Sequence, residues 1–123
     1  MDRPFFLLAL CLLLAHQLDA VRLKEWRIFW GLDRMPEPLA EKGFVAVHVP
    51  ICLVMLWATF FTVPGAINHA VATALSAVFL LHLAVHVFWL RDPRNPFTGA
   101  FSWVLIGGAG AAGAVDLLLR LTA

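Results

Sequence analysis

Hydrophobic positions fall along this chain in four long runs, covering residues 4–20, 44–63, 66–90 and 97–119. Each run is near the roughly 20 residues that an α-helix needs to cross about 30 Å of hydrocarbon. Pro4 stands where a helix tolerates proline in its first turn. Pro64-Gly65 predicts the break between the second and third helices, and Asp92-Pro93-Arg94-Asn95-Pro96 the break between the third and fourth. Pro50 falls inside the second run and predicts a local bend. The pattern predicts an all-α fold: one domain over 1–123, an integral membrane bundle of four transmembrane helices.

One longer connection, 21–43, joins the first two runs. Its first part, VRLKEWRIFWGL, mixes cations with Trp26, Ile28, Phe29 and Trp30. That mixture predicts a helix extension at, or lying in, a membrane interface. Its second part, DRMPEPLAEKG, is polar and proline-broken and predicts a loop.

Composition supports the same picture. Apolar residues make up 62% and charged residues 14% of the chain, against about 45–50% and about 25% in ordinary globular domains. A soluble chain this short cannot bury so much apolar surface in one core, whereas a bilayer covers helix exteriors and is the expected partner. The formal net charge is +1. No Lys/Arg stripe is dense enough to neutralise a phosphate backbone, which argues against a nucleic-acid partner. Cys11 and Cys52 both lie in apolar runs and read as small packed hydrophobes.

Arg3 followed by an apolar stretch also has the shape of a secretory signal, with cleavage near Ala15 or Ala20. Against that reading, the segment ends in His16 and Asp19, polar groups that have partners to meet elsewhere in the bundle.

Orientation follows from cations near the helix ends. With four spans both termini share one side, here side A, which carries Arg3 and Arg120. Side B carries Arg22, Lys24, Arg27, Arg34, Lys42, Arg91 and Arg94, and is expected to be cytoplasmic. Both termini then lie outside. Trp26, Trp30, Trp89 and Trp103 also belong near side B, where indoles favour the headgroup boundary.

The fourth run is rich in glycine and alanine, which let helix backbones approach closely and offer a face for a homo-oligomer. Its GGAGAAG stretch is no dinucleotide fingerprint, because it sits in an apolar span with no preceding strand.

Ionisable groups inside apolar spans are costly and tend to mark function. His16, Asp19, His48, His82 and His86 all fall within roughly 12 Å of the side-B boundary at about 1.5 Å per residue. His16 and Asp19 share a helix face, as do His82 and His86. If those faces point inward, they form one pocket. Imidazoles with a carboxylate suit Zn or Fe. His16, His48, His82 and His86 are the candidate ligands, with Asp19 as ligand or as the group orienting one. Glu25, just beyond the span, is a weaker candidate. Two other readings stay open: a hydrogen-bond network that locks the helices together, and a proton or metal transport or sensing module. His69 and Asp116 lie on side A, and Asp116 and Arg120 have the spacing of a local ion pair.

The stretch His16-Gln17-Leu18-Asp19-Ala20, followed by Glu25-Trp26-Arg27, resembles an uncharacterised family of small bacterial four-helix membrane proteins. That family has a His-Glu-Leu-Asp-Ala pattern and then Glu-Trp-Arg. The resemblance extends through His48-Val49-Pro50, His82-Leu83-Ala84-Val85-His86 and Ser102-Trp103-Val104-Leu105-Ile106. It implies fold and membrane location but no reaction. Gln17 stands where the family pattern has Glu, so Asp19 carries more of the case for a carboxylate ligand. The HLAVH stretch also resembles the histidine boxes of membrane di-iron hydroxylases and desaturases. Those need more histidines than the five present here, so a mononuclear site is the most a single chain supports. Whether the protein is an enzyme stays open.

Overall fold

A computed structural model describes residues 4–60 and 66–122, with side chains described over 4–57 and 69–122. Arg3, the Pro64-Gly65 break and the expected end of the second span lie outside the described residues. The described chain is all-helical: α1 (Pro4–Arg22), α2 (Glu37–Phe60), α3 (Ala66–Phe88) and α4 (Ala100–Thr122). Each is long and apolar enough to cross a membrane.

Two expectations for the 21–43 connection are corrected. The expected helix extension does not form. α1 ends at Arg22, and Lys24 takes a left-handed conformation with φ 59°. The chain then turns back into a 3₁₀ turn over Glu25–Ile28 and a second over Leu32–Arg34. Trp26 and Ile28 are buried as a result, while Phe29 and Trp30 stay exposed. The expected loop is also partly helical, because α2 begins at Glu37. Pro38 falls in the first turn, where a proline's missing N–H costs no helical hydrogen bond. Pro36 precedes the helix and its carbonyl accepts from Leu39 and Ala40 at 2.9 and 3.0 Å.

α4 is the helix around which the others arrange. It packs closely along both α1 and α3. Glycines permit this closeness. A Cβ at Gly113 would lie 2.6 Å from Phe79 Cβ and 3.2 Å from the Ser76 carbonyl oxygen, and one at Gly110 would lie 2.7 Å from Leu83 Cβ. These two small residues are therefore used inside the protein, against α3. Gly107 faces open space.

Two polar clamps fix α4 at opposite ends. Near its start, Ser102 donates to Asp19 Oδ2 of α1 at 2.5 Å, while Arg22 Nε and Nη2 donate to Asp19 Oδ1 at 2.9 and 2.6 Å. Near its end, Asp116 Oδ2 accepts from Ser76 of α3 at 2.6 Å and from Arg120 at 2.5 Å. The expected Asp116–Arg120 ion pair is present, and its carboxylate also reaches a second helix. The pairings make α4 antiparallel to both α1 and α3.

α2 stands apart from this three-helix unit. It meets α3 and the 3₁₀ turns at few points. Its start is tied down by Glu37, which takes Lys24 at one carboxylate oxygen and Arg27 at the other, the latter at 2.9 Å. Ala40 and Phe44 pack there with Trp26, Ala20, Phe97 and Ile106 in one apolar cluster. Further along, Met55 joins a second cluster with Leu10, Leu13, Phe79 and Ala109.

A candidate metal centre of three histidines

Helical period places His82 and His86 on one face of α3, one turn apart. Their Nε2 atoms are 3.2 Å from each other, so one ring donates and the other accepts. α1 brings His16 onto the same point. Its ring centroid lies 4.9 Å from that of His82 and 4.8 Å from that of His86, edge-on to both. One nitrogen from each of the three rings falls within 4.8 Å of the others.

His16 is fully buried, and neither of its ring nitrogens has a hydrogen-bond partner among the described residues; His82 Nδ1 is in the same condition. Burying an unpartnered polar group costs about 1–3 kcal/mol. Such orphans in native proteins mark a bound ion, a water or a catalytic role. His16 carries two orphans on one ring.

The surroundings are built to hold the rings. The break before α4 contains consecutive side-chain turns: the Arg94 N–H donates to Asp92 Oδ1 at 2.8 Å, and the Phe97 N–H donates to Asn95 Oδ1 at 2.9 Å. They deliver the buried Phe97 ring to 5.0 Å from both His16 and His86. On the other side, the left-handed turn at Lys24 sends Glu25 inward. Its Oε1 lies 3.7 Å from His86 Nε2, with both side chains buried. Burial pushes the Glu25 carboxyl up to about 7.

Three imidazoles and a carboxylate are a donor set for Zn or Fe. Zn–N bonds of about 2.0–2.1 Å in a tetrahedron set the nitrogens about 3.3 Å apart. The His82–His86 separation of 3.2 Å already matches that edge. His16, within 4.8 Å, closes on a shared ion by a ring movement on the order of 1 Å.

The structure brings together His16, His82 and His86 and leaves two other candidates elsewhere. Asp19 faces α4; Ser102 of that helix takes one of its oxygens and Arg22, one turn further along α1, the other. His48 sits on the outlying α2. Its Nδ1 is 2.6 Å from the Phe44 carbonyl oxygen, and because a carbonyl only accepts, Nδ1 carries the hydrogen. Glu25, the weaker sequence candidate, takes the place expected of Asp19. Phe97 was not singled out from sequence, although the Asp92-Pro93-Arg94-Asn95-Pro96 turn signal lies immediately before it. His69 is exposed and away from the cluster. Of the indoles expected at side B, Trp30 is exposed, Trp26 is buried, and Trp103 donates to the Phe97 carbonyl at 2.9 Å.

A cavity of about 560 Å³ opens beside the cluster, between α2 and the facing sides of α1 and α3. Glu25, His48, His82 and His86 are part of its wall.

The described residues thus form an all-helical protein with four helices of membrane-crossing length and apolarity and a largely buried histidine cluster able to hold a metal ion. The chain belongs to the family of unknown function DUF6713, whose model matches residues 3–123. The resemblance carried by His16–Ala20 and Glu25–Arg27 is thus borne out as far as a family of unknown function. Comparison with curated proteins and with solved structures finds no match.

Proposed function

We propose that this protein is an integral membrane metal-binding protein, holding one divalent transition ion, Zn or Fe, on His16, His82 and His86. One observation carries the reading: a fully buried imidazole with both nitrogens unpartnered among the described residues sits within bonding adjustment of two more. Glu25, whose Oε1 lies 3.7 Å from His86 Nε2, would serve as a further ligand or as hydrogen-bond acceptor for a bound water. The bilayer part of the reading is supported by large apolar side chains left exposed along the outer faces, among them Val49, Leu53, Leu118 and Leu121. Lipid would cover them at no cost. The cation distribution supports side B, where the cluster lies, as the cytoplasmic half.

The competing reading, histidines as a helix-locking network, draws on the His82–His86 hydrogen bond. That bond lies within α3 and ties no two helices together. Ser102–Asp19 and Ser76–Asp116 perform the locking.

Metal analysis of the purified protein tests the proposal. The expected result is one ion per chain, lost in a His82→Ala/His86→Ala double variant. Metal-free protein whose stability is unchanged by chelator refutes it. Cysteine labelling placed in the 21–43 connection tests orientation, with reaction only from the outside as the refuting result.

A further inference from the structure

The cavity beside the histidines has a direction. On α2 its wall runs from Phe44 to Met55, a length of about 16 Å at about 1.5 Å per residue. Its polar wall groups, Gln17, Glu25, His48, His82 and His86, gather at the side-B end. Leu13, Ile51, Met55 and Val78 line the deeper end. The facing side chains Val47 and Ile51 of α2 and Leu81 of α3 stay exposed, so the two helices are held apart along this length. Between helices of membrane-crossing length, such a gap opens to the hydrocarbon. Its volume of about 560 Å³ lies in the about 300–1,000 Å³ range of small-molecule sites, which combine apolar walls with few convergent polar groups.

Charge selects the head of the occupant. A dication on three neutral imidazoles would face Glu25, while the other nearby carboxylate, Asp19, is already paired with Arg22, which leaves a net positive centre among buried side chains. An anionic oxygen donor complements it. We propose that the cavity binds a long-chain carboxylate, a fatty-acid-type lipid. Its chain lies between α2 and α3, and its carboxylate sits at the histidine cluster. The head-group part rests on the metal reading of that cluster; the chain part rests on the cavity alone.

The test uses the full chain in nanodiscs of zwitterionic phospholipid, which supply excess bilayer lipid as a standing competitor. The probe is palmitate carrying a photoactivatable diazirine near its chain end, with cross-links mapped by mass spectrometry and metal content measured on the same sample. The expected result is labelling at Cys52, Met55 or Val78 that unlabelled palmitate displaces. It falls by about tenfold or more in Ile51→Trp and, independently, in Leu81→Trp, with metal content unchanged. Labelling spread over outward residues such as Leu118 and Leu121, or undiminished in both Trp variants, overturns the inference even where metal is bound. Displaceable labelling of metal-free protein refutes the metal reading instead and leaves the chain site standing.

Discussion

Substituting alanine for Gly113 and, separately, for Gly107 isolates the closeness of α3 and α4. Both glycines are inside α4, so alanine brings each variant the same helix-propensity gain of about 1 kcal/mol. Only their surroundings differ. A Cβ at Gly107 meets nothing within 4 Å, whereas one at Gly113 lies 2.6 Å from Phe79 Cβ and 3.2 Å from the Ser76 backbone oxygen. Neither of those atoms can swing aside, so the helices must separate, which strains the 2.6 Å Ser76–Asp116 bond. Overpacking of this kind costs about 1–3 kcal/mol. Since the propensity gains cancel, Gly113→Ala is expected to be less stable than Gly107→Ala by about that amount. The assay is unfolding of both variants by denaturing-detergent titration, compared with the parent chain. Two variants within about 0.5 kcal/mol of each other, a usual bound on independent small effects, would show that α3 and α4 are not in the contact described.

Other outcomes follow from the clamps and the histidines. Ser102→Ala leaves Asp19 Oδ2 buried without the partner described here and is expected to cost about 1–3 kcal/mol. Ser76→Ala should cost less, about 0.5–1.5 kcal/mol, because Asp116 Oδ2 keeps Arg120; the same titration reads both, and a reversed order contradicts the assigned bonds. The two clamps are about 21 Å apart along α4, so the double variant should be additive within about 0.5 kcal/mol. Asp19→Asn is expected to weaken the fold while metal stoichiometry stays at the parent level; metal loss without unfolding would make Asp19 a ligand after all. His48→Ala should likewise retain the ion, whereas His16→Ala should lower affinity by at least about tenfold in a competitive chelator titration; an equal loss in both would place His48 in the ligand set.

Much of this was legible from local pattern. Helices announce themselves by apolar runs of fixed length, and His82 and His86 share a face by period alone. Counting residues from the helix ends also put His16 at their depth. What stayed hidden depends on single turns and on contacts remote in sequence. Glu25 enters the site only because Lys24 adopts a left-handed turn, a conformation that favours glycine or asparagine and that lysine does not signal. Pro36 and Pro38 read as loop-makers, yet each occupies a position a helix start tolerates. Asp19 was expected beside His16, three residues away. A serine on α4, remote in sequence and unremarkable in composition, holds it instead. His48 lines the same cavity as His82 and His86, but its place along α2 says nothing of how far that helix stands from its neighbours.

That separation has a consequence for local motion. α4 is locked at both ends and interdigitated with two neighbours, while α2 is moored at its first turns through Glu37, Ala40 and Phe44 and again at Met55, with the cavity between. Segments with few packed contacts open at lower free energy than the rest of a fold. Amide protons of α2 beyond Pro50 should therefore exchange with deuterium well before those of α4, and a ligand lodged between α2 and α3 would slow them.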